Sequence, residues 1–167
     1  TASLNAKDVV PADPALQPLL AEGATLDFAG TLDKDGTIEA NRLDLQAGSL
    51  ALNAQGAARD WGDSQAHLDA KLDIADAAGL LDIAGLHGSG AIHMDATLDK
   101  SGEALTAKIA ARTKALSLGI AEAGRLLGSE PSLQASVTRD AAGTVSLTDF
   151  SLTGQGIGLK AAGTMDS

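Results

Sequence analysis

Three histidines are the side chains of this chain best suited to metal binding or acid–base chemistry. His67 and His93 fall on the polar faces of predicted strands, and His87 precedes a glycine-rich turn. No carboxylate stands at a spacing from them that is recognised for metal ligation. Their positions therefore predict solvated surface histidines rather than a metal centre or a general base.

Other stretches resemble catalytic or ion-binding motifs only in part. In LDKDGTIEANRLD, Gly36 stands fourth from Asp33 rather than sixth, and no Glu closes an EF-hand loop. The glycine-rich runs at 85–90 and 154–158 do not lie between a buried strand and a helix, as phosphate loops do. Ser89 lacks the flanking residues of a nucleophile elbow. These patterns favour turns, so we expect no enzyme activity, no metal site and no cofactor.

Charge and cysteine content exclude several classes of partner and site. The net charge is −10, and the 12 basic residues are scattered singly rather than gathered in a stripe. A nucleic acid partner is therefore not expected, since phosphate contacts need clustered Lys and Arg. An anionic membrane surface would also repel the chain. Cysteine is absent, which excludes disulfides and thiolate metal sites.

The chain has the length of one domain, and residues 1–167 are predicted to form a single repetitive β segment. It begins with Thr1, without a basic and apolar leader or an apolar run near about 18 residues. We therefore expect neither a signal peptide nor a membrane span here. A repeat that breaks off near Ser167 indicates a segment of a longer protein.

An internal repeat dominates the sequence. A shift of 107 positions lays residues 19–59 over residues 126–166 without a gap. A looser copy begins between them, where residues 24–36 match residues 90–102 at a shift of 66. The approximate repeats are 15–59, 81–116 and 122–166. Such repeats are typical of stacked supersecondary units that cannot bury their apolar faces alone.

Apolar and polar residues alternate with a period of two, which predicts strands. Lys34-Asp35-Gly36 predicts a hairpin turn, and the period then slips at Asn41-Arg42, which predicts a bulge. The later copy slips at the same place, between Leu147 and Phe150. Further strands are predicted at 2–10, 50–58, 66–74, 91–99, 105–113, 133–140, 144–153 and 157–165. Short helices are predicted at 15–22, 76–84 and 120–127.

Strands with one apolar and one polar face, joined by tight turns, predict an antiparallel sheet in an all-β fold with short helices. Aromatic side chains usually dominate the core of a β-sandwich. This chain has two Phe, one Trp and no Tyr. A smooth face of small and aliphatic residues is compatible with a groove left open for a ligand.

Two runs join a short helix, a nearby glycine and a strand of small residues: LDIADAAGLLDIAGLHGSGAIHMDATLD and RLLGSEPSLQASVTRDAAGTVSLTDFSLTGQGIGLKAAGTM. With the KDG hairpin, they resemble the TamB family of the AsmA-like bridge-like lipid transport proteins over nearly all of residues 15–166. The resemblance implies a repetitive antiparallel sheet curved into a U-shaped β-taco trough with an apolar interior. It also implies a periplasmic segment of an inner-membrane-anchored protein of a Gram-negative bacterium.

The function implied by the resemblance is phospholipid conduction between the inner and outer membranes and support of outer-membrane protein assembly and secretion. The implied partners are phospholipid acyl chains and, through the full-length protein, an Omp85-family barrel (TamA). Residues predicted to line the groove share the apolar strand face. They are Leu26, Phe28, Leu32, Ile38, Leu50, Leu52, Leu68, Leu72, Ile92, Met94, Leu133, Val137, Val145, Leu147, Leu152, Ile157 and Leu159.

Other functions remain open on the sequence. The main alternative is a structural or adhesive β-solenoid spacer with a sealed core and no ligand, in which the same residues form an ordinary core. A transmembrane barrel is disfavoured because its aromatic girdles are missing. The parallel rungs of a carbohydrate-active β-helix are disfavoured by the hairpin turns.

Overall fold

Ten strands pair into one antiparallel sheet in the computed structural model. The structure describes residues 2–6, 23–59, 65–83, 85 and 87–165. Within these, the strands are β1 (Ala2–Ala6), β2 (Ala24–Leu32), β3 (Ile38–Ala47), β4 (Leu50–Arg59), β5 (Gln65–Ile74), β6 (Gly88–Ser101), β7 (Ala104–Leu118), β8 (Ser132–Arg139), β9 (Val145–Thr153) and β10 (Gly158–Met165).

The strand order in the sheet is the order in the sequence, from β1 to β10. Each strand runs antiparallel to the next, so every connection is local and no crossover is needed. The sheet is open and curled into an all-β trough. This confirms the predicted fold class. Strand β10 forms one edge of the described sheet, and all eight of its residues are exposed.

The register places the large apolar residues at paired strand positions on one face, called here the apolar face. Residues paired directly across an antiparallel ladder point to the same side of the sheet. Successive pairs therefore line up as rows that cross the sheet from β2 to β10. One such row, the leucine row, contains Leu26, Leu45, Leu52, Leu72, Met94, Ala111, Leu133, Leu152 and Leu159.

The predicted bulge is present in both copies and falls on equivalent residues. In β3, Ala40 pairs with Gly30 and Arg42 with Ala29, so Asn41 is the extra residue. In β9 the register likewise shifts at Thr148, which pairs with no residue of β8 in the ladder. Thr148 stands 107 positions after Asn41. The bulge returns the apolar residues that follow it to the apolar face.

The hairpin turns that precede the bulges are also duplicated. The amide of Asp33 donates to the carbonyl of Thr37 at 2.8 Å, and the amide of Asp140 donates to that of Thr144 at 3.0 Å. Gly36 and Gly143 hold φ values of 82° and 92°, a conformation that glycine adopts without a steric penalty. The turn predicted from KDG is confirmed.

Two short helices lie at the end of the strands opposite to these turns. Helix α1 (Ala78–Ile83) begins after Asp76, whose Oδ1 accepts a hydrogen bond from the amide of Ala78 at 3.0 Å, a contact typical of the N-terminal cap of a helix. Helix α2 (Ala121–Leu127) ends at Gly128 with φ 71°. The edge that carries both helices is called the helix rim. The edge with the β2–β3, β6–β7 and β8–β9 turns is called the hairpin rim.

Some predicted bounds differ from the structure. Strands β6 and β7 are longer than predicted, reaching 14 and 15 residues, because their pairing continues past Gly90, where the register shifts. Strand β10 begins at Gly158, which leaves Ile157 in the preceding turn. The predicted helix at 15–22 and positions 7–10 of the first predicted strand lie outside the described residues.

The duplicated fold supplies a matched test of how closely the strands pack. A Cβ at Gly56 would press against the carbonyl oxygen of His67 in β5 and lie 3.1 Å from the Leu68 Cα, whereas a Cβ at the equivalent Gly163 meets nothing within 4 Å. We expect Gly56→Ala to lower the free energy of unfolding by about 1–3 kcal/mol. Gly163→Ala should change it by less than about 0.5 kcal/mol. Urea unfolding of the two variants measures both values, and equal losses would contradict the register.

Candidate functional site

The residues predicted to line a groove share one face of the sheet. All of them except Ile157 occupy strand positions on the apolar face, as their pairing shows. Ile157 lies in the β9–β10 turn, where its carbonyl accepts a hydrogen bond from the amide of Gly154 at 2.8 Å. The predicted set therefore forms one continuous surface at the level of backbone geometry.

The same face contains large apolar residues that the predicted set omits. Leu43, Leu45 and Phe150 follow the bulges, where the phase of the alternation changes. Leu98 and Ile109 pair into neighbouring rows on β6 and β7. Strict alternation counted from the nearest turn finds Leu98 and Ile109. The others require the bulge to be counted as one extra residue.

The apolar face is not covered by a second layer in the described part of the chain. Leu68 on the inner strand β5 is 42% exposed and Leu159 on the edge strand β10 is 48% exposed, while most of the other large apolar residues of this face are half-buried. The buried apolar side chains among the described residues are Ala47, Ile74 and Ala77. A closed core would bury most of its large aliphatic side chains. The face is therefore accessible to solvent.

The buried apolar residues lie at the helix rim, where α1 folds against the sheet. Ile74 pairs with Leu50 on one side and Ile92 on the other. The amide of Ala77, at the start of α1, donates to the carbonyl of Gly90 in β6 at 2.8 Å. The helix thus closes one edge of the trough and leaves the rest of the apolar face accessible.

Small side chains make the middle of the apolar face lower than its flanks. The row next to the leucine row has alanine on five strands, with a phenylalanine near each end. In strand order it reads Phe28, Leu43, Ala54, Ala70, Ala96, Ile109, Ala135, Phe150 and Ala161. Because the alanine side chain is a single methyl group, this row leaves room for an apolar guest above the sheet.

Charge is strongly partitioned between the two faces. Among the paired positions of β2 to β10 that face inward, the charged residues are Lys100 and Arg139, and none is acidic. The chain as a whole has 22 acidic residues. Those of the described strands therefore lie on the opposite face, called here the polar face.

On the polar face, two histidines each lie between two aspartates. His67 places Nδ1 2.6 Å from Asp99 Oδ1 and Nε2 3.1 Å from Asp69 Oδ2. His93 places Nδ1 2.5 Å from Asp73 Oδ1 and Nε2 3.1 Å from Asp95 Oδ2. Both ring nitrogens can donate to carboxylates only when the imidazole is protonated.

These contacts raise the pKa of both histidines. For His67 the largest cause is the hydrogen bond to Asp99, followed by the one to Asp69. For His93 it is the hydrogen bond to Asp73. The pKa of Asp69 is lowered in turn, chiefly by His67. The histidines are exposed, as predicted, and among the described residues no cluster of three or more His, Asp or Glu could hold a metal ion.

The sequence analysis missed the pairing of the histidines with aspartates because two of the four aspartates come from a neighbouring strand. Asp99 pairs with His67 across β5 and β6, and Asp73 pairs with His93 across the same two strands. No spacing along the chain marks these pairs, since their separations depend on the lengths of the connecting segments. Knowledge of the register would have revealed them.

No protein-family model, curated protein or solved structure matches this chain. Within the described residues, no helix combines the length and hydropathy needed to cross a bilayer. The arrangement described above is an accessible apolar surface with its charged groups on the other side of the sheet or at one rim.

The openness of the apolar face predicts how the chain tolerates truncation of its leucines. Ile74 is 4% exposed under the helix rim, so Ile74→Ala should lower the free energy of unfolding by about 2–5 kcal/mol through a new cavity. Leu68 is 42% exposed, so Leu68→Ala should cost less than about 2 kcal/mol, because little area is lost and no enclosed cavity forms. Urea unfolding distinguishes the two, and similar large losses would indicate a sealed core.

The His93 pair predicts a pH-dependent stability. The hydrogen bond to Asp73 raises the pKa of His93 in the folded state above its usual value, so the stabilisation is fully present below the unfolded pKa and is lost as pH rises through the folded pKa. Asp73→Asn removes the main partner and should therefore destabilise the protein more at about pH 5.5 than at about pH 9. Urea unfolding at both pH values measures the difference. Asp149→Asn is the matched control, and a loss for Asp73→Asn that does not depend on pH would contradict the pairing.

Proposed function

We propose that this chain is a segment of a lipid-transfer groove, in which acyl chains of phospholipids lie against the apolar face while they move between membranes. The observation that carries the proposal is the continuity of the leucine row across nine neighbouring strands, on a face that remains accessible. A contiguous exposed apolar surface of this kind marks a binding site in soluble proteins.

The energetics favour hydrocarbon as the occupant. Removing an acyl chain from water is worth roughly 0.8 kcal/mol for each methylene group buried. In a groove with similar aliphatic side chains on every strand, the free energy of a bound acyl chain changes little along the path. Each step exchanges one aliphatic contact for another. Eight strand spacings of about 4.8 Å make this path about 38 Å long.

The wider setting belongs to the same proposal and is supported by the sequence resemblance. The full-length protein would be anchored in the inner membrane of a Gram-negative bacterium and would cross the periplasm to an Omp85-family barrel (TamA). Conduction of phospholipid along its groove would supply the outer membrane and support protein assembly there. The chain would act without enzyme chemistry, since hydrocarbon transfer makes and breaks no covalent bond.

The alternative function, a structural spacer with a sealed core, predicts a different distribution of exposed apolar area. A spacer of this size would gain stability by covering its leucines, because exposed aliphatic area contributes nothing to folding. The exposure of Leu68, Val137 and Leu159 on the apolar face therefore favours the open groove over the sealed spacer. A nucleic acid partner is disfavoured by the net charge of −10.

The proposal is tested by placing a photo-crosslinking amino acid at Leu52 or Leu159, both in the leucine row. The purified chain is incubated with phospholipid vesicles and illuminated, and adducts are identified by mass spectrometry. Lipid adducts are expected at both positions. The matched controls are Asn53 and Lys160, the next residues on the same strands, which face the other side of the sheet. Equal labelling at all four positions would refute the groove.

A further inference from the structure

The two inward-facing cations occupy the same row at the hairpin rim. Lys100 pairs with Ala66 on one side and Leu105 on the other, and Leu105 pairs with Arg139. The two basic residues are thus two strand spacings apart, about 10 Å between their backbones. Long basic side chains lay their aliphatic stems on an apolar surface and hold the charged group in water. Both charges therefore belong at the opening of the groove.

Among the residues that the structure describes, three aspartates near this rim have other partners. Asp35 lies 3.0 Å from Arg59, which lowers the pKa of Asp35. Asp99 lies 2.6 Å from His67 on the polar face. Asp140 Oδ1 accepts hydrogen bonds from the amides of Ala142 and Thr144 in its own turn. Glu103 lies in the β6–β7 turn, beyond the inward-facing rows.

Lys100 already interacts within the chain, and the rim still has space beside it. An ammonium group has three N–H donors, so an internal contact and a ligand oxygen can share it. A cleft of about 470 Å³ at the rim is lined by Lys100, Ala58 and Ala66 of the inward-facing rows and by residues of the polar face, which include His67 and Asp99. Arg139 is exposed and Lys100 is half-buried, so an anionic group can reach the row from solvent at Arg139.

The depth of the groove below this row matches one acyl chain. On β6 the inward residues below Lys100 are Leu98, Ala96, Met94 and Ile92. The six residue steps from Leu98 to Ile92 span about 20 Å. One leaflet of a bilayer has a hydrocarbon depth of about 15 Å, half of the roughly 30 Å core. A lipid whose phosphate lies at the rim would place its acyl chain on these apolar rows.

We propose that Lys100 and Arg139 bind the phosphate of a lipid head group at the hairpin rim, so that the groove prefers phospholipids with a net negative charge. This inference rests on the proposed function and adds a head-group preference to it. The charge complementarity is specific to this surface, since the chain is strongly acidic overall while the inward-facing rows contain basic charge alone among the described strands.

The test measures which lipid the purified chain retains. The chain is incubated with vesicles that contain equal amounts of phosphatidylglycerol and phosphatidylcholine with the same acyl chains, and the bound lipids are quantified by native mass spectrometry. Wild-type chain should retain phosphatidylglycerol over phosphatidylcholine by about fivefold, the scale of exposed ion pairs. The preference should weaken as salt is added, because exposed charges are screened.

Variants assign the preference to the rim. The double variant Lys100→Gln with Arg139→Gln should bind both lipids about equally, and the charge-retaining Lys100→Arg with Arg139→Lys should keep the preference. The matched control is Lys71→Gln with Lys108→Gln, which removes the same charge from the polar face and should leave the ratio unchanged. Circular dichroism checks that each variant is folded.

The outcomes separate this inference from the proposed function. Lipid binding without a preference in wild-type chain, or a preference that survives in the folded Lys100→Gln and Arg139→Gln variant, would overturn the rim assignment and leave the groove standing. If the double variant is unfolded, each single substitution should reduce the ratio by itself, and unchanged ratios would again overturn the assignment. Absence of either lipid from the wild-type chain would overturn both proposals.

Discussion

Backbone hydrogen bonding between neighbouring strands is the interaction on which the rest of this structure depends. The described residues contain few fully buried apolar side chains, namely Ala47, Ile74 and Ala77, and most large apolar residues of the apolar face are half-buried. The antiparallel ladders from β1 to β10 satisfy the backbone polar groups strand by strand. They also set the register, and the register decides which side chains share a face. The leucine row, the alanine-rich row beside it and the rim cations all follow from that one constraint.

The bulges show how a local irregularity preserves this register across a repeat. Insertion of a single residue into a strand would turn every following side chain to the opposite face. At Asn41 and at Thr148 the chain absorbs the extra residue as a bulge, and Leu43 and Phe150 return to the apolar face. The same hairpin hydrogen bonds precede both bulges. The repeated unit is therefore a hairpin followed by a bulge that returns later apolar residues to the apolar face. This explains how copies can follow one another along a single sheet.

The open face has a cost in stability that the polar face helps to offset. Exposed leucines such as Leu68 contribute less to folding than buried ones would, while the polar face carries ion pairs such as Arg42 with Asp44 at 2.6 Å. Exposed pairs of this kind contribute only modestly. The segregation of acidic residues to the polar face also keeps negative charge away from the apolar rows. Under the two proposals made above, such a surface would accept hydrocarbon and would bind an anionic group beside Lys100 and Arg139.

The sequence by itself determined the all-β class, the hairpin turns, the position of the bulge and most of the apolar face, because each of these depends on residues within about ten positions of one another. Alternation identifies a two-faced strand, and Gly36 identifies a turn, without reference to the rest of the molecule. Only the tertiary structure decided which strands lie side by side and how much of the apolar face is covered. The His67 and Asp99 pair, the placement of Lys100 in one row with Arg139, and the exposure of Leu68 all depend on register across strands and on the absence of a covering layer over the described sheet. Neither the register nor the coverage of the apolar face is encoded in a local spacing, since both arise from segments that are distant in the chain and meet only when the sheet forms.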